Sequence, residues 1–379
     1  MIPPDPARLW ASLPDDARSL LTHLRRLTDP RSRLALVGGA VRDLLLGQAS
    51  ASPDLDIVLA GRDVHQVAEK LGVVFSWHPA YGNATLHLPG GRYADLVSAR
   101  SETYPVAGGP PMPRPGSLED DLARRDFTVN AMALELLAGG KVKLLGVPDG
   151  PGDLEARLLR PLHPQSLHED ASRLVRAARL AARLGLRAHP QLLAQVPAAL
   201  DIAPRTPRLA AELRLLLDEP LPGRAVRVLE DWGADTLLPA GTAPLLERLD
   251  ALPGPGSRTL YAAALQSLAG ETDRLEALGL GQRPAELLAR ARSAAPAAPG
   301  SPEATLQTLL GLTPPYPPLQ GRDLLALGLR AGPELGQMLG WLAEERRAGR
   351  FASAEDERRA VRARLTDGGP EQQARNTGG

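Results

Sequence analysis

Apolar positions along the chain follow two regimes. Between residues 34 and 145 they come in short strand-length runs, at 34–37, 55–59, 73–77, 84–88, 93–97, 129–136 and 142–145. Helix-like spacing follows Gly39 and Asp63. That mixture predicts an α/β unit. After Pro164 the strand signals stop, and helical periodicity runs to about residue 364. It is broken by Pro and Gly, most clearly at 292–302 (RSAAPAAPGSP) and 312–320 (LTPPYPPLQ), which predicts an all-α region. Ahead of the first strand, residues 8–28 predict one amphipathic helix carrying Leu9, Trp10, Leu13, Leu20, Leu21 and Leu24. Residues 101–117, rich in Gly and Pro, predict a long loop, and loops of that length in a compact domain are usually functional or disordered. The final stretch, DGGPEQQARNTGG, predicts a disordered tail.

Composition narrows the picture. A chain of 379 residues exceeds one small domain. Lys and Arg total 44 against 44 Asp and Glu, so neither a basic coat protein nor an acidic tail fits, although a local basic face suffices for nucleic acid. The chain has no cysteine, which excludes disulfides, thiolate metal sites and a cysteine nucleophile. There is no secretory pattern at the N-terminus and no apolar run near the ~18 residues of a membrane span. A cytoplasmic protein is expected.

Candidate chemistry gathers at the edges of the predicted strands. Gly38 and Gly39 end the first strand and open a helix. Missing side chains there let backbone N–H groups approach an anion, and Arg42 lies in the first turn. A bare strand-to-helix turn accounts for a lone Gly-Gly as well. Asp54 and Asp56 stand two apart at the mouth of the next strand, so both carboxylates point to one side. A divalent cation relieves their repulsion, and Mg²⁺ favours carboxylates completed by substrate phosphate oxygens. Asp95, in another strand-like run, either completes the carboxylate set or is a solvated strand residue. In LARRDFTVNAMAL (122–134), Arg125 offers charge to a triphosphate, and Asp126 and Asn130 offer hydrogen bonds to a ribose. A surface helix start with an ion pair is the alternative. HEDASRLVRAARLAARLG (168–185) reads as one helix, with Asp170 and Arg173 as i, i+3 neighbours. Arg173, Arg176 and Arg179 continue as a stripe beside an apolar face of Leu174, Ala177, Ala178, Leu180 and Ala181, without intervening carboxylates. Such a column suits a bound anion; a solvated charged face is the alternative.

Together these motifs resemble the class II tRNA nucleotidyltransferase (CCA-adding enzyme) and poly(A) polymerase family. The likeness covers four or five motifs in order from Leu36 to about Glu212, and more modestly LQGRDLLALGLRAGPELGQMLGWL (319–342). It implies an α/β polymerase-beta-type nucleotidyltransferase domain with a mixed sheet, followed by an all-α C-terminal region. The corresponding divisions are a helical extension at 1–33, the catalytic domain at 34–160, a helical nucleotide-recognition domain at 161–225, a tRNA-binding helical body and tail at 226–366, and the disordered 367–379. Residue by residue, it implies that Gly38, Gly39 and Arg42 hold the triphosphate and that Asp54 and Asp56, with Asp95 as a possible third, bind catalytic Mg²⁺. Arg125, Asp126 and Asn130 would contact the sugar and phosphates. Asp170 and Arg173 would hydrogen-bond the edge of the incoming base, and Arg176 and Arg179 would neutralise its phosphates. The segment from Thr206 to Glu212 resembles a structural motif, with Pro207 where an acidic residue is more usual.

The implied reaction is template-independent addition of C, C and A to the 3′ end of tRNA from CTP and ATP, with release of pyrophosphate. Its partners are nucleoside triphosphates and the 3′ end, acceptor and elbow of tRNA, with no membrane. The segment between Arg100 and Arg124 is close to full length, which favours complete CCA addition, because CC-only relatives have a shortened loop. A-only addition, CC-only addition, poly(A) synthesis and a catalytically inactive tRNA-binding protein are the alternatives. The C-terminal half carries no His-Asp dyad pattern, so an added phosphohydrolase domain is not expected.

Overall fold

The computed structural model describes residues 5–48, 50, 53–61, 63–252, 256–268, 279, 281–292, 297–312, 318–347, 350–351 and 353–367. The expected disordered tail lies almost wholly outside these residues, as does most of the 312–320 break. The chain divides into two compact units, residues 1–240 and 241–379.

The first unit is built on a seven-stranded sheet of order β3-β4-β5-β2-β1-β8-β9. Its strands are β1 (Arg33–Val37), β2 (Leu55–Ala60), β3 (Phe75–His78), β4 (Asn83–Leu88), β5 (Arg92–Ser98), β8 (Met132–Leu136) and β9 (Val142–Gly146). β2 and β5 run parallel, and the other neighbours are antiparallel. This is the α/β unit that the apolar runs predict, with the mixed sheet that the family resemblance implies. The starts of two runs differ: β3 begins at Phe75 rather than at residue 73, and Thr128–Asn130 forms a 3₁₀ turn before β8 begins.

Side-chain alternation gives the sheet two apolar faces. On one, Ala35 and Val37 of β1, Val58 and Ala60 of β2, and Ala133 of β8 form a core with Ala99, Leu118 and Leu122. The last two lie on α5 (Leu118–Ala123), whose Ser117–Asp120 capping box fixes its start. Burying each of these leucines contributes about 1.5–3 kcal/mol. α4 (Val64–Leu71) packs on β4 and β5 and against α2 (Asp15–Leu27).

Three local expectations are corrected. The single helix expected at 8–28 is two, α1 (Pro6–Ala11) and α2, because Pro14 provides no amide to continue the first. The long loop at 101–117 is largely a hairpin, β6 (Arg100–Thr103) paired with β7 (Met112–Pro115) in the register Arg100↔Pro115 to Thr103↔Met112. Strand structure also persists beyond Pro164: Leu158–Leu159 (β10) pairs in parallel with Arg187–Ala188 (β11).

The rest of this unit is helical: α6 (Gly150–Glu155), α7 (Ser166–Glu169), α8 (Ser172–Leu184), α9 (Pro190–Leu193), α10 (Val196–Ile202), α11 (Pro207–Leu216) and α12 (Pro222–Asp231). α8 packs against α11 and α12. The regular secondary structure described in the second unit is all helical, from Thr242–Asp250 to Ala354–Asp367. Leu319, Leu324, Leu329, Leu342 and Val361 form a small core there, and the Arg364 guanidinium lies 4.5 Å over the Trp341 ring. Among the described residues no helix is long and apolar enough to cross a membrane.

Candidate active site

The sheet face that is apolar beneath α5 becomes acidic where β2 and β5 begin. Asp56, Val58 and Ala60 alternate onto that face, and Asp54 precedes them at the same spacing. The parallel register sets Asp56 beside Asp95. All three carboxylates line one cleft of about 1180 Å³ within the first unit. Burial pushes the Asp56 carboxyl up, Arg125 opposes this, and Asp95 and Asp54 reinforce it. Asp95 accepts a hydrogen bond from Thr85 Oγ at 2.7 Å, and Thr85 contacts His78 Nε2 at 3.1 Å.

Gly38 caps α3 (Gly39–Leu45) with φ +74 and ψ −133, a backbone region that glycine alone occupies readily. A β-carbon there would stand 2.8 Å from Arg125 Nη1 and 3.5 Å from Asp56 Oδ2. The Gly38 amide is spent on the Met132 carbonyl at 3.1 Å, so it is not a free anion donor. Arg42 is buried, bonds Asp43 Oδ1 through Nε at 2.8 Å and holds Asn130 Oδ1 through Nη1 at 2.7 Å. Asn130 Nδ2 in turn donates to Asp126 Oδ1 at 3.0 Å. Burial alone would raise the Asp126 carboxyl, but Arg176, the Asn130 bond and Arg173 hold it below its usual value. Arg125 bonds the fully buried Asp121 at 3.0 Å, and its Nε has no hydrogen-bond partner.

The segment expected as one helix from His168 is broken at Asp170. That residue is extended (φ −152, ψ 101) between α7 and α8. Its Oδ1 accepts from the Ser172 amide at 3.1 Å and hydroxyl at 2.6 Å, and its Oδ2 from Arg208 at 2.9 Å. Asp170 and Arg173 still line the same cleft. The arginine stripe also departs from expectation, because carboxylates meet it from α11 and the turn after it. Arg176 pairs with Glu212 at 2.6 Å and Asp126 at 3.4 Å, while Arg179 pairs with Glu212 and, at 2.9 Å, with Glu219. Both line the cleft, but Arg179 is mostly buried as an anchor between helices, whereas Arg176 is half-exposed.

Sequence reasoning missed Arg208 as part of this cluster and gave Tyr104 no chemical role. Both lie on the cleft wall. Their partners are remote in sequence, so no local spacing marks them.

The donor set suits a hard divalent cation. Among the described residues no group of three or more His, Cys, Asp or Glu side chains is drawn together tightly enough to hold a metal ion by itself. A carboxylate pair open to a cleft is instead what Mg²⁺ requires when phosphate oxygens and water complete its shell.

Residues 34–160 match the Poly A polymerase head domain family. The chain is 54% identical over 372 residues to a CC-adding tRNA nucleotidyltransferase of Deinococcus radiodurans, covering 96% of this chain and 98% of that one. An A-adding tRNA nucleotidyltransferase of Aquifex aeolicus is 38% identical over 206 residues, 52% of this chain and 24% of that relative. In fold, the chain resembles a Thermotoga maritima CCA-adding enzyme solved with tRNA. The TM-score is 0.63 at 22% identity, over 96% of this chain and 99% of that one.

Proposed function

The chain belongs to the tRNA nucleotidyltransferase family and is a nucleotidyltransferase, and from this premise we propose that it adds two cytidines to the 3′ end of tRNA from CTP. One observation carries the choice of cytidine: the 54% identity to a CC-adding enzyme extends over nearly the full length of both chains. The A-adding likeness spans only about half of this chain. Complete CCA addition is the second reading, favoured by a 101–117 segment that is not shortened but folded as a hairpin.

In the proposed reaction the tRNA 3′-hydroxyl attacks the α-phosphate of CTP in line, and pyrophosphate leaves. Asp54 and Asp56 would hold Mg²⁺, with Asp95 beside them. That ion supplies charge for the α-phosphate and the leaving pyrophosphate. Arg42, Arg125 and Arg176 are assigned to the triphosphate, with Gly38 and Gly39 leaving room for it. Asp126 and Asn130 are assigned to the ribose. Asp170 accepts the cytosine amino group, and Arg173 donates to the neighbouring acceptor nitrogen. Uracil presents the reverse order of donor and acceptor and is rejected. Adenine offers the same order as cytosine, so the distinction between C and A lies outside this pair. The helical body, including 319–342, is assigned to tRNA.

The test is extension of a tRNA transcript ending at the discriminator base. CTP with Mg²⁺ is expected to add two residues, and ATP alone none. Extension by ATP without prior cytidine addition would reject the assignment.

A further inference from the structure

Arg173 is held from two sides. Its Nη1 donates to Ser166 Oγ at 2.6 Å and to the Ser166 carbonyl at 3.2 Å. Its Nη2 donates to the Tyr104 hydroxyl at 3.2 Å and the Arg124 carbonyl at 3.3 Å. The Tyr104 ring also faces two guanidiniums, with Cζ of Arg173 at 5.6 Å and Cζ of Arg208 at 5.7 Å from its centroid. Arg208 reaches the Tyr104 hydroxyl at 3.5 Å and holds Asp170 Oδ2 at 2.9 Å. The hydroxyl hydrogen itself points to Glu102 Oε2 at 3.4 Å, which leaves the phenol lone pairs to the arginines. Glu102 is fixed by Arg100 at 2.9 Å and Arg124 at 3.1 Å.

We propose that Tyr104 is a positioning residue for base selection: it fixes Arg173 directly and Asp170 through Arg208, so that the pair presents its donor and acceptor in one order only. The inference rests on the reading that Asp170 and Arg173 meet the base edge. Its physical basis is the number of fixed points. Without the Tyr104 tie, Nη2 keeps only its 3.3 Å bond to the Arg124 carbonyl, and the guanidinium tilts to reach a uracil carbonyl. Arg208, which loses its contacts to the Tyr104 hydroxyl and ring, then moves with its partner Asp170, which shifts to accept the uracil N3–H. The second tie at Nη2 and the stacked ring remove that freedom. Tyr104 also begins the turn of the β6–β7 hairpin, so the hairpin's fold and the base-reading pair share one side chain.

The test compares kcat/KM for CTP and UTP on one tRNA transcript, for the full chain carrying Tyr104→Phe, Tyr104→Leu or Asp170→Asn. Tyr104→Phe keeps the ring, and an unchanged thermal midpoint establishes that it folds. It is expected to lower the CTP/UTP ratio about tenfold, the size of one hydrogen bond to a charged group. Tyr104→Leu, which also removes the ring, is expected to lower it further. An unchanged ratio in both, with rates for the two nucleotides falling together, overturns the proposal. If Asp170→Asn then loses discrimination, only the Tyr104 assignment falls. If Asp170→Asn also keeps its ratio, the base-reading assignment falls with it.

Discussion

Gly38 shows how much one residue carries in this site. Its backbone sits at φ +74, and any β-carbon would press within 2.8 Å of Arg125 Nη1. Gly38→Ala therefore has two expected effects. Backbone strain costs on the order of 1–3 kcal/mol, read by chemical denaturation, and displacement of Arg125 raises KM for CTP. A variant with wild-type stability and KM would show that neither constraint operates. Asp54→Asn and Asp56→Asn are expected to abolish incorporation while tRNA binding, read by gel shift, stays near wild type; retained incorporation sinks the metal assignment. The geometry behind these residues was legible because it is local. Two-residue alternation brings Asp54 and Asp56 to one face, and adjacent glycines mark the turn. Tyr104 was not legible as a contact of Arg173, because 69 residues separate them and only the folded hairpin brings them together.

Among the elements, α8 departs most from expectation. Its arginine stripe reads as unpaired charge when only its own sequence is considered. The neutralising carboxylates come from Glu212 on α11 and Glu219 just beyond it, 33 to 40 residues away. Glu212 is buried and binds both Arg176 and Arg179. Glu212→Ala leaves both guanidiniums short of a partner and is expected to cost about 1–3 kcal/mol of stability, read by denaturant unfolding. A loss below about 0.5 kcal/mol, the scale of an ordinary surface change, would mean the stripe does not anchor α8 to α11. The break at Asp170 was hidden because helical periodicity continues across it. Its side chain nevertheless bonds the Ser172 amide, a local alternative to helix. The β6–β7 hairpin was hidden by its prolines. Pro113 and Pro115 lie on a strand with no second neighbour, where a missing amide leaves no ladder bond unmade.

For the whole molecule, the change from short apolar runs to helical periodicity predicted the α/β-then-helical order, and the chain has it. The division into units falls at residue 240, well inside the helical region. Periodicity could not mark that place, because helices lie on both sides of it. The family was also legible, since its motifs occur in order through the sheet and α8. The nucleotide added was not. The pair proposed to read the base, Asp170 and Arg173, would accept cytosine and adenine alike, and the hairpin favours one reading while the full-length likeness favours the other. The most direct test gives the enzyme CTP and ATP together with a tRNA transcript ending at the discriminator base, and with the same transcript ending in CC. The account predicts that the first is extended by two cytidines and stops, and that the second is not extended. A terminal adenosine on either would contradict CC-only addition; on the first transcript, after two cytidines, it would establish complete CCA synthesis.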